Sequence, residues 1–327
     1  MKAIRQYEFG GPDTLRYEDV PDPSPGEGEV RIRVAAAGVH LVDTTIRQGG
    51  QLGPNPPPTL PMTPGREVAG TVDAVGPGTD PAWLGRRVVA HLGPASGGYA
   101  ELAVAAVGSL HELPADLPYD AAVALIGTGR TTVAILELAA LTAADVVLVT
   151  AAAGGIGALL VQAAGRVGAT VVGAAGGPAK VDQVRALGAP VAVDYSRPDW
   201  ADAVRTALAG RAVTVSMDGV GGTLGRTALE LVGLGGRVLF YGWASGEPTP
   251  FTVWDLYSGG LTVSCAIGAR ILQRPGGLRG LEEESLARAA AGEWTPLVGA
   301  PFGLADAAGA HRALESRATV GKTVLVP

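Results

Sequence analysis

From Val146 to Gly165 the chain reads "VVLVTAAAGGIGALLVQAAG", with no charged residue between Asp145 and Arg166. A run of this length can cross a bilayer on length alone. Its internal order points elsewhere. Val146–Val149 is a short β-branched run of the kind buried on both faces of a parallel sheet. In Ala151–Gly157 the glycines break a helix, and alanine and glycine supply little insertion energy. Ile156, Leu159, Leu160, Ala163, Ala164 and Val167 then recur at helical spacing, and "TVVGAA" (Thr170–Ala175) forms a second strand. Strand, glycine turn, helix and strand is the order of a dinucleotide-binding unit, so the stretch predicts soluble structure.

The turn has the form Ala152-x-Gly154-x-x-Gly157. Gly154 lets a pyrophosphate approach the backbone, and Gly157 lets the helix pack closely on the strand. Ala153, Gly154, Gly155 and Ile156 then sit at a helix N-terminus, whose free N–H groups and partial positive charge suit phosphate. A tight turn without ligand is the plainer reading, and the continuation weighs against it. Strands are predicted at "PVAVDY", "VTVSMD", "RVLFYG" and "LTVSCAIG", with helices near residues 179–187, 200–208 and 224–232 between them. Alternation of this kind gives a doubly wound α/β fold with a six-stranded parallel sheet.

The first third differs. "EVRIRV" alternates as a half-exposed strand does, and "GTVDAVG", "GRRVVAHLG" and "YAELAVA" are short strands between glycines and prolines, which suggests an irregular β-barrel. Six prolines between Pro54 and Pro64 make that piece a loop. The run Glu282–Glu284 reads as a helix's first turn facing solvent. With 17% charged residues, 47% hydrophobic residues and a net charge of −6, the composition is globular and offers no basic face for nucleic acid. A lone cysteine, Cys265, excludes an intrachain disulfide and multi-cysteine zinc sites, and its apolar strand suggests an inert buried thiol. "MKAIRQYEFGG" has no apolar signal core, so a cytoplasmic location is expected, with neither membrane nor nucleic acid as partner.

Taken together, "AAAGGIG", "GREVAGTVDAVG", "GYAELAVA" and "AHRALESRATVGKTVLVP" resemble the zinc-independent quinone oxidoreductases, the zeta-crystallin-like group of the medium-chain dehydrogenase/reductase superfamily. The resemblance covers nearly the whole chain. It implies a GroES-like catalytic domain at 1–122 and 268–327, a Rossmann NADP-binding domain at 123–267, and a cleft at their junction. In the zinc branch of the superfamily, metal ligands come from a "GxC" and a "GHE" segment. Here these read "GVH" with His40 and "GRE" with Arg66. Arginine cannot ligate, and His40 with Asp43 would give only two ligands, so no metal is expected. Without a Lewis acid, reduction of a quinone or an enone is the feasible chemistry. An enoyl or 2-alkenal reductase is the alternative, and a nucleotide-binding protein without turnover is the alternative from another class.

An NAD enzyme commonly carries an acid about 20 residues after the glycines. Gly176 and Gly177 stand there instead, followed by Lys180. The resemblance places Lys180, Tyr195 and Arg317 around the 2′-phosphate of NADPH, Thr131 and Ile156 at the phosphates, and Gly242, Ala244 and Ser245 by the nicotinamide. It also implies a homodimer or a tetramer of dimers, through the open edge that "LTVSCAIG" leaves. The family often has Asn at His40 and an aromatic near Gln48–Leu52, so the substrate pocket is altered. His40 and Asp43 are the polar candidates for catalysis, the imidazole relaying a proton and the carboxylate orienting it. A loop histidine beside a capping aspartate accounts for the same residues.

Overall fold

The computed structural model of the protein describes residues 1–50 and 57–327, in two units: Met1–Gly127 with Val298–Pro327, and Thr128–Leu297. The start of the proline-rich segment and the end of Gln48–Leu52 lie outside the described residues.

Unit 1 begins with an antiparallel ribbon, β1 (Lys2–Gln6) against β2 (Leu15–Asp19). The long β3 (Glu29–Val39) buries Val30, Ile32 and Val34 in alternation and is then almost continuously buried from Ala36 to Val39. It turns directly into the short helix α1 (Leu41–Arg47). The strands β4 (Glu67–Val75), β5 (Arg87–His91), β6 (Leu102–Ala106) and β7 (Leu110–Glu112) follow, with β4 and β6 both antiparallel to β3. Ile4, Ile32, Val68, Val88, Tyr99 and Leu110 pack into one core, and α2 (Tyr119–Ala124) closes the first segment.

Unit 2 opens with α3 (Arg130–Ala139), then alternates β8 (Val146–Val149), α4 (Gly155–Arg166), β9 (Thr170–Ala175), α5 (Pro178–Ala186), β10 (Val191–Asp194), α6 (Trp200–Leu208), β11 (Val213–Asp218), α7 (Gly222–Glu230) and β12 (Val232–Phe240). The helix α8 (Val253–Gly259), the strand β13 (Thr262–Cys265) and helices α9 (Ala269–Leu272) and α10 (Gly277–Ala290) complete it. The sheet order is β10-β9-β8-β11-β12-β13, parallel throughout, as the sequence predicted. All four residues of β8 are buried, so the opening stretch is a central strand, a turn and a covering helix.

Two expectations are corrected here. Unit 2 begins at Thr128 and runs on to Leu297, past the expected limit at 267. The reason is α10, which packs on α3: Arg130 Nη1 lies 2.7 Å from Glu282 Oε1, and the Trp294 indole donates to the Ser285 carbonyl at 3.2 Å. Glu282 is therefore buried inside a helix rather than exposed in a first turn. The chain returns to unit 1 through β14 (Phe302–Gly303), α11 (Ala307–Glu315) and β15 (Thr323–Val326), which pairs antiparallel with β3.

Candidate functional site

In unit 2 the sequence-predicted nucleotide residues other than Thr131 follow the C-terminal ends of the parallel strands, the edge where doubly wound sheets bind ligands. The turn after β8 is tighter than the glycine pattern implied. The left-handed residue is Ala151 (φ +50°), one position before Ala152. Its carbonyl accepts the Gly154 N–H at 2.8 Å and lies under the start of α4. A Cβ on Gly157 would fall 2.3 Å from that carbonyl oxygen and 2.8 Å from Ala152 Cα, so only glycine fits. A Cβ on Gly154 would meet Ala151 O at 3.2 Å and nothing else within 4 Å, which leaves its outer side open to a ligand. No side chain caps α4, so the amides of its first turn remain available to phosphate. Thr131 is half-buried in the first turn of α3.

Immediately after β9, a Cβ on Gly176 would lie 3.1 Å from Tyr195 Cε2. The tyrosine ring covers the position where an NAD enzyme carries its acid. Lys180 follows in the first turn of α5. Sequence reasoning missed Asp194, which accepts from the Ser196 hydroxyl at 2.6 Å, the Gly177 amide at 2.8 Å and the Ser196 amide at 2.9 Å. The Ser196 hydroxyl and then the Gly177 amide hold its carboxyl below the usual range, and in return it fixes the Gly176–Gly177 turn.

The loop holding Gly242, Ala244 and Ser245 hangs from the turn after β11, with Ala244 N–H on the Gly219 carbonyl (3.0 Å) and Ser245 N–H on that of Val220 (2.8 Å). Asp218, also missed, organises that turn. Fully buried, it accepts from the hydroxyls of Thr150 and Thr249, each at 2.6 Å, and from the Val220 amide at 2.9 Å. Arg317 belongs to unit 1, just after α11, in the left-handed region at φ +60°. That conformation costs a non-glycine residue about 1–2 kcal/mol, a local strain the fold retains.

In unit 1, His40 caps α1, and its backbone N–H donates to Asp43 Oδ2 at 2.8 Å. Asp43 thus orients the main chain of His40. It also accepts from Tyr99 Oη at 3.2 Å and, through Oδ1, from Arg66 Nε at 3.3 Å. The imidazole has other partners. His40 Nε2 lies 2.7 Å from Lys322 Nζ and 2.7 Å from Glu67 Oε1, while Lys322 Nζ donates to Glu67 Oε2 at 2.7 Å. Glu67 and Lys322 are buried, and the His40 side chain is 23% exposed, the one member of the three open to a ligand. The β3–β15 register brings them together, since Thr323 pairs with Val39 and sets Lys322 beside His40. A charged residue within "GREVAG" and another within "VGKTVLV", each in an apolar strand, were the available signals.

The flanking sequence agrees with known proteins over its full length. Residues 26–115 match the alcohol dehydrogenase GroES-like domain family, and residues 155–279 match the zinc-binding dehydrogenase family. The quinone oxidoreductase of Pseudomonas aeruginosa is 34% identical over 328 residues, covering 100% of this chain and 99% of that protein. The chain belongs to the quinone oxidoreductase family of the medium-chain dehydrogenase/reductase superfamily. A 2-haloacrylate reductase from Burkholderia is 32% identical, over 97% of this chain and 96% of its own. The quinone oxidoreductase of Escherichia coli, solved in complex with NADPH, superposes with a TM-score of 0.87 at 29% identity and complete coverage of both chains.

The second matched family is named for zinc, but among the described residues this quinone oxidoreductase family member lacks the donor set that ion needs. Zinc takes three or four nitrogen, sulfur or oxygen ligands. Here the Lys322 ammonium already stands between His40 and Glu67, and Arg66 is turned onto Asp43. Among the described residues no three His, Cys, Asp or Glu side chains converge. These residues do not fit zinc.

Proposed function

We propose that the protein is an NADPH-dependent, zinc-independent reductase that delivers hydride to a quinone or a related conjugated carbonyl. The observation that carries this reading is the end of β9, where Gly176 lies under Tyr195 with Lys180 beyond it. No acid stands at the end of β9 itself, and the neighbouring Asp194 carboxylate is taken up by the Gly177 and Ser196 donors. NADPH, when bound, supplies the hydride. Within unit 2, Ala153–Ile156 and Thr131 hold its phosphates, Lys180 and Tyr195 stand at its 2′-phosphate, and Gly242, Ala244 and Ser245 shape the nicotinamide end. His40 handles the oxygen that gains charge as the acceptor is reduced. The likeness to a 2-haloacrylate reductase supports a second reading, reduction of an activated C=C bond. Measuring NADPH oxidation with quinones, alkenals, 2-haloacrylates and enoyl thioesters, with and without a chelator, separates these readings. Turnover lost on chelation would sink the zinc-free assignment. Tight NADPH binding without turnover on any acceptor would favour a nucleotide sensor.

Lys180→Ala is expected to weaken NADPH about tenfold, since a charge-assisted hydrogen bond contributes about 1.5–3 kcal/mol and solvent at this half-buried lysine trims it. NADH, which lacks that phosphate, should be unaffected. Dissociation constants for both coenzymes at fixed ionic strength decide it. Equal losses would move Lys180's role to the fold or the pyrophosphate, and a wild-type preference for NADH would overturn the cofactor assignment.

The working unit is proposed to be a homodimer or a tetramer of dimers, in the cytosol. The edge strand β13 borders exposed apolar side chains: Leu234 is 87%, Val253 82% and Tyr257 78% exposed, and Trp254 stacks on Tyr257 at 5.4 Å. An open edge beside apolar surface is a liability in a monomer. Cys265 also lies on this edge and is exposed, against the buried thiol expected from its sequence. Tyr257→Glu should raise the dimer dissociation constant by about 100-fold or more in sedimentation, the loss of a central aromatic contact. A wild type that sediments as a monomer at micromolar concentration contradicts the assembly.

A further inference from the structure

Arg66 projects from a fixed main chain. Gly65 before it lies at φ +91°, and a Cβ there would fall 2.3 Å from the Tyr99 ring, so only glycine makes this turn. The Gly65 carbonyl accepts the Gly98 amide at 2.9 Å, and the Arg66 carbonyl accepts the Leu92 amide at 2.7 Å. The side chain, by contrast, uses little of its donor capacity. Its Nε donates to Asp43 Oδ1 at 3.3 Å, and among the described residues neither terminal amino group has a protein partner. Neither is buried, and the side chain is 24% exposed. Arginine carries five N–H donors in a planar fork and no acceptor, so four of the five are unused.

The charges around Arg66 differ in exposure. The Asp43 side chain is 3% exposed and is also held by the His40 amide at 2.8 Å and by Tyr99 Oη at 3.2 Å. Glu67 and Lys322 are buried and paired with each other. What this group turns toward solvent is the Arg66 fork and part of the His40 imidazole. Asp43 ties those two together, since Oδ2 holds the His40 main chain and Oδ1 holds Arg66 Nε. A fixed guanidinium with its terminal donors unused, and with both neighbouring carboxylates buried, fits a planar anion with two oxygens.

We infer that Arg66 is a specificity-determining residue that binds a carboxylate on the acceptor. The acceptors are then conjugated carbonyl compounds that also carry an acid group. This names the substrate class of the reductase reading and rests on it. The carboxylate takes no part in the bond changes: hydride from NADPH and one solvent proton add across the conjugated C=C bond, and NADPH is oxidised to NADP⁺. Capture by Arg66 fixes the acceptor's orientation and offsets a negative charge that would otherwise oppose the arriving hydride.

The test compares 4-oxo-4-phenyl-2-butenoate with its methyl ester, which keeps the enone and removes the charge. Arg66→Met should lower kcat/KM for the acid relative to the ester by about tenfold or more, mainly through KM. Arg66→Lys should recover only part of the preference, because a point charge lacks the fork. Equal losses on both acceptors, the sign of a merely structural role, overturn the inference. A second readout needs no turnover. The saturated acid 4-oxo-4-phenylbutanoate should shift the Arg66 Nε–H NMR resonance, assigned by its absence in Arg66→Lys, and its methyl ester should not. A resonance that ignores the acid overturns the inference, and this measurement decides alone should Arg66→Met fail to fold. A shift by the acid without turnover on any acceptor would leave the carboxylate site standing and remove the reductase reading. Turnover of acid and ester with a silent resonance would do the reverse.

Discussion

Glu67→Ala is expected to destabilise unit 1 by about 3–5 kcal/mol, the usual cost of stripping one partner from a buried ion pair. Glu67 has no exposed surface, and Lys322 is 4% exposed. Burial pushes the Glu67 carboxyl up, but the charges of His40 and Lys322 outweigh it and hold the group well below the usual carboxylate range. At Lys322 burial wins over the attraction of Glu67, and the ammonium pKa falls. The lysine therefore depends on its carboxylate. Without Glu67 it must lose its proton or draw water into a dry core, and either costs free energy. The control is Glu67→Leu with Lys322→Met, which removes both charges and should recover most of the loss, giving strong non-additivity between contacting residues. Urea unfolding followed for both singles and the double measures it. A Glu67→Ala protein within 1 kcal/mol of wild type would show that the pair is hydrated.

Where chemistry is local in sequence, it was legible. The β-branched run Val146–Val149, the glycines at 154 and 157 and the helical spacing after them prescribe strand, turn and helix with no long-range information. The bare end of β9 was likewise visible as Gly176 and Gly177. What escaped was pairing across the chain. Lys322 and Glu67 are 255 positions apart, and only the pairing of both β15 and β4 with β3 brings them together. Arg130 and Glu282 are 152 apart, and the helix they join to the parallel-sheet unit was assigned to the other one. Asp43 was placed beside His40 with two roles open, orienting the imidazole or capping the helix, and the capping contact is the one present. Three residues along a helix start, a carboxylate reaches the N-cap amide more readily than the N-cap ring, and this one does.

Asp43 also ends a second buried chain of polar groups, and that chain makes stability depend on mild acid. His311 has no exposed surface. Its Nδ1 lies 3.1 Å from Arg47 Nη1, and its Nε2 lies 3.2 Å from Tyr99 Oη. Arginine only donates, so Nδ1 must accept and the proton sits on Nε2, directed at Tyr99, whose hydroxyl donates to Asp43. A second proton has no place. It would set an imidazolium against the Arg47 guanidinium, itself 1% exposed and bound to Glu315. Burial, aided by Arg47, lowers the His311 pKa from 6.5 to about 4 against the pull of Asp43 and Glu315. Below about 6.5 the unfolded chain binds a proton that the native state refuses, so stability falls as pH drops. The loss begins near 6.5, grows until about 4 and then levels off, reaching about 3 kcal/mol at one pKa unit per 1.36 kcal/mol. Carboxylates held below their ordinary range, Glu67 among them, begin to weaken the fold only below about pH 5, where the unfolded chain protonates its own, which leaves the upper part of the window to the histidine. Urea midpoints at pH 7, 6 and 5 should decline in the wild type and stay nearly flat across that range in His311→Gln, whose amide can accept from Arg47 without titrating. Parallel declines in the two proteins would show that His311 takes up its proton in the folded state and that the chain from Arg47 to Asp43 is open to water.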